Sequence, residues 1–207
     1  MKLNSIELIF SIRGSTSIPV DHGYALYGAL SKIVPEIHRN NGIAIHPIRG
    51  TQIGNSQLAL TDHSRLVLRV PDGQIAPLLA LAGKQLRLVE SSIRVGVPHV
   101  QALIPATALR SRLVVIKVAH IQPAFEVTAE QFESAVRKQL QELNVSDEAI
   151  VTIGKRRTLR LKQNEIVGYE VLLEGLTAEE SLNIQESGLG GRRHMGCGVF
   201  VPLRGGA

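Results

Sequence analysis

The sequence predicts an α+β fold built from two tandem β-α-β-β-α-β units, and three observations carry that expectation. Segments of alternating apolar residues and segments of helical apolar spacing follow one another in the order β-α-β-β-α-β from residue 3, and the order returns from residue 108. The helical segments each have one apolar face, which calls for a sheet to bury it. The chain has 207 residues, 44% of them hydrophobic, which suits two domains of about 100 residues, each with its own core. A unit of this order is ferredoxin-like, also described as RRM-like. The halves share no close residue-level repeat, so the duplication rests on element order alone.

In the first unit, residues 3–13 (LNSIELIFSIR) alternate as a strand does. Ile18-Pro19-Val20-Asp21 leads into a helical stretch, HGYALYGALSKIV, with Asp21 as its N-cap and Leu26, Leu30, Ile33 and Val34 at helical spacing. Pro35 and Asn40-Asn41-Gly42 end it. IAIHPI (43–48) and SRLVLRV (64–70) read as strands. DGQIAPLLALAG (72–83) reads as a helix with a glycine stop that Pro77 disturbs, and QLRLVESSIRVG (85–96) as one or two strands. This unit is assigned residues 1–96, with a linker over 97–107 and the second unit over 108–207.

The second unit opens on a strand, ALRSRLVVIKVA (108–119). Thr128 caps AEQFESAVRKQLQEL, whose apolar stripe is Phe132, Val136, Leu140 and Leu143. AIVTIG (149–154), RTLRLK (157–162) and IVGYEVLLEG (166–175) read as strands. Thr177 and Glu180 form a capping-box pattern for AEESLNIQESG, and GVFVP closes the unit.

Composition narrows the function classes. A core-forming apolar content excludes a disordered or low-complexity chain. No apolar run approaches the roughly 18 residues of a membrane span, and the amino terminus has no small-residue cleavage site of a signal peptide. A cytoplasmic protein with no membrane partner is expected. The single cysteine, Cys197, excludes an internal disulfide and an all-cysteine zinc site, and its H-x-x-C spacing from His194 is half a metal site. No metal and no cofactor are expected. Formal charge is +5, from sixteen Arg and seven Lys against 18 acids, which favours a polyanion, and the arginine fork suits phosphates. Aromatics are 3% with no Trp, which argues against base stacking on an aromatic platform. If the polyanion is a nucleic acid, phosphates and shape carry its recognition.

The charge is also unevenly placed. Residues 121–150 carry two basic and six acidic side chains, whereas Lys155, Arg156, Arg157, Arg160 and Lys162 fall together with no acid among them. Strand alternation puts Lys155 and Arg157 on one face and Arg156, Thr158 and Arg160 on the other, so at least one basic face is exposed and the run is expected to contact the phosphates of a polyanion rather than only water. GLGGRRHMGCG (188–198) holds five glycines in eleven positions. Packing does not account for that density in this reading. Gly190, Gly191 and Gly196 are expected to let backbone approach a ligand, while Arg192, Arg193 and His194 meet its phosphates.

These segments carry a resemblance. IPVDHGY with the helix pattern His22-Gly23-Tyr24-Ala25-Leu26-Tyr27-Gly28-Ala29-Leu30, and the carboxyl-terminal GLGGRRHMGCGVFVP, resemble the CRISPR-associated repeat-processing endoribonucleases, in a compact branch of that family. The resemblance runs over most of the chain. It implies a metal-independent enzyme that cuts CRISPR repeat RNA. A ribose 2′-hydroxyl attacks the adjacent phosphate, leaving a 2′,3′-cyclic phosphate and a 5′-hydroxyl. It also implies retention of the product and, in some members, other subunits of an effector complex as partners; a stem-loop RNA is expected from the basic strand pair beside the glycine loop. An A-form stem read through shape and phosphates fits the basic run and glycine loop.

The family's catalytic histidine lies just past the first helix, and His38 in PEIHRNNGIAIHPI has that position. Imidazole suits the proton transfers because it titrates near neutral pH. His46, on the following strand, is a second candidate; His22 at the helix start fits a structural part of the pattern. His63, His99 and His120 have no supporting context. Some members pair the histidine with a tyrosine, a role open here to Tyr27 or Tyr24, and with a lysine, which Arg39 or Arg49 replaces in this sequence. A non-catalytic RNA-binding subunit of an effector complex is the alternative, and a ferredoxin-like metabolic enzyme or sensor is a distant third.

Overall fold

A computed structural model describes residues 5–39, 42–117 and 127–203. They divide into two compact units: residues 5–102 with 194–196, and the remainder from 103 onward.

The first unit is a five-stranded antiparallel sheet. Its central strand β1 (Ser5–Gly14) pairs with β6 (Arg65–Pro71) and with β8 (Ser91–Ala102), and β3 (Ala44–Ile45) and β7 (Gln85–Leu88) form the edges, in the order β3-β6-β1-β8-β7. Numbering only the strands of the β-α-β-β-α-β unit, this is the order 2-3-1-4 of a ferredoxin-like unit, with β7 added outside. Alternation sends Leu8, Phe10, Leu66 and Leu68 to one face, where the helix α1 (Gly23–Ile33) buries Leu26 and Leu30 against them. Glu7 and Arg69, directly opposed in register, take the other face.

Several local expectations change. The N-cap of α1 is His22, not Asp21, and the His22 side chain makes no capping hydrogen bond. Pro77 does more than disturb its helix. It leaves a 3₁₀ turn (Asp72–Gln74), one α turn, α3 (Ile75–Leu78), and a second 3₁₀ turn (Leu79–Leu81). The strand expected over 43–48 is β3 alone. A separate three-stranded sheet, β2 (Ser17–Pro19), β4 (Thr51–Gly54) and β5 (Gln57–Ala59), occupies a stretch with no strong apolar pattern. Its hairpin turns on Asn55 and Ser56, both at positive φ, as a two-residue primed turn requires. Residues 97–102, assigned to a linker, continue strand β8 against β1.

The second unit repeats the order. Strands β9 (Ala108–Val114), β10 (Ile150–Leu161), β11 (Asn164–Glu174) and β12 (Val201–Pro202) form an antiparallel sheet, β10-β11-β9-β12. The segments 149–154 and 157–162, read as two strands, are one strand with a bulge between Ile153 and Arg156. Residues 118–119 of the expected first strand, and His120, lie outside the described residues. The helices α4 (Ala129–Glu142) and α5 (Ala178–Ser187) start at Thr128 and Thr177 as expected, each with a complete capping box, closed by Gln131 and Glu180. Glu180 also accepts from the Ser146 backbone N–H at 2.7 Å. That bond and the one from the Thr177 N–H hold its carboxyl below the usual carboxylate range. Phe132, Val136 and Leu140 of α4 pack on Tyr169, Val171 and Leu173 of β11, and the Tyr169 hydroxyl donates to the Val127 carbonyl.

Candidate active site

The first unit gathers three ring side chains at one place. Val34 and Pro35 end α1, and the chain turns at once into α2 (Glu36–Arg39), whose Ile37 is buried in the core. Ile37 fixes the turn, and its neighbour His38 is left exposed. One ring nitrogen of His38, Nδ1, shares a short hydrogen bond with the hydroxyl of Tyr27, eleven residues earlier on α1. His194 completes the group: its ring centroid lies 4.5 Å from that of Tyr27, at an interplanar angle of 49°. A 3₁₀ turn (Arg193–Met195) presents His194, and Met195 beside it is buried. Gly196 follows at φ 85°, where an added Cβ would lie 3.0 Å from Pro47, so glycine allows the close approach that seats the turn.

The other histidines are engaged differently. His22 donates from Nδ1 to the Pro19 carbonyl at 2.8 Å, and its Nε2 accepts from the Ile48 N–H at 2.9 Å. Those two bonds define a neutral imidazole that ties the start of α1 to the chain after β3, a structural role. His46 is buried with its Nε2 3.3 Å from Glu7, whose carboxylate also accepts from Arg69 at 2.7 Å. His46 thus lies beside the Glu7–Arg69 ion pair on the sheet face away from α1, while His38, bonded to Tyr27, is exposed.

The glycine-rich loop does not match its expectation, since four of its five glycines are required by the protein's own packing. An added Cβ would strike the Gly198 carbonyl at Gly188, the Val115 carbonyl at Gly190, the Pro47 ring at Gly196 and the Leu189 carbonyl at Gly198, and all four have positive φ. The Gly190 N–H donates to the Gln139 side chain. Only Gly191 faces open space. Arg193 donates to the Glu186 carbonyl in the last turn of α5, a helix-capping contact. Arg192 sits at φ 64° and its carbonyl accepts from the Cys197 N–H.

The basic run lies on the β10–β11 hairpin. Lys155, Arg156 and Arg160 are exposed, and Lys162 forms the hairpin turn at φ 56°. Arg157 faces the other way and pairs with Glu170, which also binds Arg110. Four of the five cations therefore stand on exposed positions of one hairpin, and the fifth is partly neutralised.

The sequence profile of the family described as Cas6 Crispr matches residues 6–205. The chain belongs to the Cas6 family. The CRISPR-associated endonuclease Cas6 of Myxococcus xanthus (strain DK1622) is 35% identical over 197 residues, 95% of this chain and 81% of that protein. A solved structure described as CRISPR associated protein Cas6 has a TM-score of 0.64 at 14% identity, covering 97% of this chain and 100% of the other. The CRISPR endoribonuclease Cse3 bound to a 19-nucleotide RNA has a TM-score of 0.51 at 16% identity, covering 95% of this chain and 98% of the other. At such identities the structural likeness establishes the shared fold.

The family resemblance read from the sequence is thus borne out. The place of His194 within this Cas6 chain was not legible in that reading, which set it among phosphate contacts of the loop. The available signal was its chemistry, because it is the one imidazole inside a segment whose glycines indicate close chain approach.

Proposed function

We propose that this chain is a metal-independent endoribonuclease that cuts CRISPR repeat RNA at the Tyr27–His38–His194 cluster. The observation that carries the reading is that cluster itself: two imidazoles and a phenol gathered on the first unit, with His38 exposed to an incoming strand. In the proposed reaction a ribose 2′-oxygen attacks the adjacent phosphorus. The O2′–P bond forms and the P–O5′ bond breaks, so one proton must leave the 2′-hydroxyl and one must reach O5′.

Two imidazoles can divide these transfers. As an imidazolium, His38 donates from Nδ1 to the Tyr27 oxygen and presents its Nε2–H to O5′, and giving up that proton leaves a neutral ring. His194 then takes the 2′-hydroxyl proton. Tyr27 orients both rings, and Arg39, exposed beside His38, stabilises charge on the phosphorane. The exposed cations of the β10–β11 hairpin hold phosphates of a stem, and the cut RNA stays bound there. Cleavage of repeat RNA is expected to persist in excess chelator, read on a denaturing gel. A strict requirement for added Mg²⁺ would contradict the mechanism, and a mobility shift with no cleavage would favour the non-catalytic binding subunit.

A further inference from the structure

We propose a second RNA contact, resting on that reading: the groove between α1 and β7 holds the sugar-phosphate backbone of the strand next to the scissile phosphate. The groove encloses about 490 Å³, the size range of ligand clefts. Tyr24, Gly28 and Lys32 line it at successive four-residue steps, so they form one stripe of α1, and Gln85 and Arg87 of the edge strand face them. Ala25 and Ala29 keep its floor shallow and apolar.

Three features fit an RNA strand. Lys32 and Arg87 are both exposed, and among the described residues neither makes an ion pair. Two unneutralised cations across one groove complement a polyanion. Tyr24 of the groove also lies three residues before Tyr27 of the cluster, a neighbouring position on the surface of the same helix. Finally, a glycine stands in mid-helix where glycine is unfavourable. No positive φ requires it, and an added Cβ at Gly28 would meet nothing within 4 Å. Its effect is to keep the middle of the groove open, with Tyr24 available to lie against a ribose or base.

The test measures binding and single-turnover cleavage of repeat RNA over a range of salt concentrations. Lys32→Ala with Arg87→Ala should weaken binding about tenfold or more at low salt while leaving the saturated cleavage rate near that of the unmodified protein. Loss of two phosphate contacts should lower the logarithmic salt slope by about 1.4. Lys32→Arg with Arg87→Lys should restore both. Gly28→Leu should fill the groove and weaken binding without lowering the melting temperature, because the site is open and leucine favours helix. Normal binding and slope in the alanine pair, with the unmodified protein still cutting, would overturn the groove and leave the endonuclease reading intact. Failure of the unmodified protein to bind repeat RNA would overturn both. Unaltered RNA binding together with capture of an acidic peptide by the groove would assign it to a protein partner instead.

Discussion

His38→Ala is expected to lower the rate of repeat-RNA cleavage by about 10² to 10⁴, the usual contribution of a positioned acid or base, with little change in RNA affinity. His38 is exposed and forms no part of the core, so melting should be unaffected. Its role as acid, as distinct from base, has its own readout. A substrate with sulfur in place of the bridging 5′-oxygen has a leaving group that needs no proton. On that substrate His38→Ala should recover most of its lost rate, while His194→Ala should not. Tyr27→Phe keeps the ring that packs on His194 but removes the hydroxyl bound to His38, so it should lose part of the rate and keep the fold. Recovery in the His194 variant and none in the His38 variant would exchange the two roles. An unaltered rate in His38→Ala, measured by quenched single-turnover assay, would remove His38 from the reaction.

The largest effect on stability is expected at Glu7. Arg69 is only 1% exposed, and its guanidinium donates to the Glu7 carboxylate, which His46 also approaches. Glu7→Ala leaves Arg69 buried without that carboxylate, and breaking a buried pair in this way costs about 3–5 kcal/mol. Chemical unfolding should show the loss as a lower midpoint with an unchanged slope. Glu7→Gln keeps an acceptor oxygen for Arg69 and should lose less. A change below about 1 kcal/mol in Glu7→Ala would mean that the pair contributes no more than a surface contact.

Much of this architecture was legible in the sequence because its signals are local. Thr128 and Thr177 define helix starts through hydrogen bonds within three residues, and Phe132, Val136 and Leu140 report one buried face by spacing alone. The β-α-β-β-α-β element order pointed to two ferredoxin-like units, and both sheets take the 2-3-1-4 strand order of that fold. What could not be read depends on contacts between residues far apart in sequence. The β2–β5–β4 sheet is held by pairings such as Ser17 with Ala59, which leave no periodic trace in the residues between. The glycines of 188–198 advertised close approach, but the approaching group is the chain's own backbone at Val115, Leu189 and Gly198, and sequence gives no sign of which. His38 and Tyr27 were both candidates, yet their hydrogen bond and the arrival of His194 from 156 residues downstream of His38 exist only once the chain is folded. His46 shows the converse. Its place beside His38 in the sequence made it a candidate, and strand register turned it toward Glu7 and Arg69.

The proposed mechanism requires a ribose 2′-hydroxyl as the nucleophile and protein side chains alone to move its proton. The most direct test uses repeat RNA carrying one 2′-deoxy residue immediately before the scissile phosphate, incubated with the protein in excess chelator beside the unmodified RNA. Both RNAs should bind equally, the unmodified RNA should be cut to a 2′,3′-cyclic phosphate and a 5′-hydroxyl, and the deoxy substrate should remain uncut. Cleavage of the deoxy substrate at the same position would contradict the mechanism.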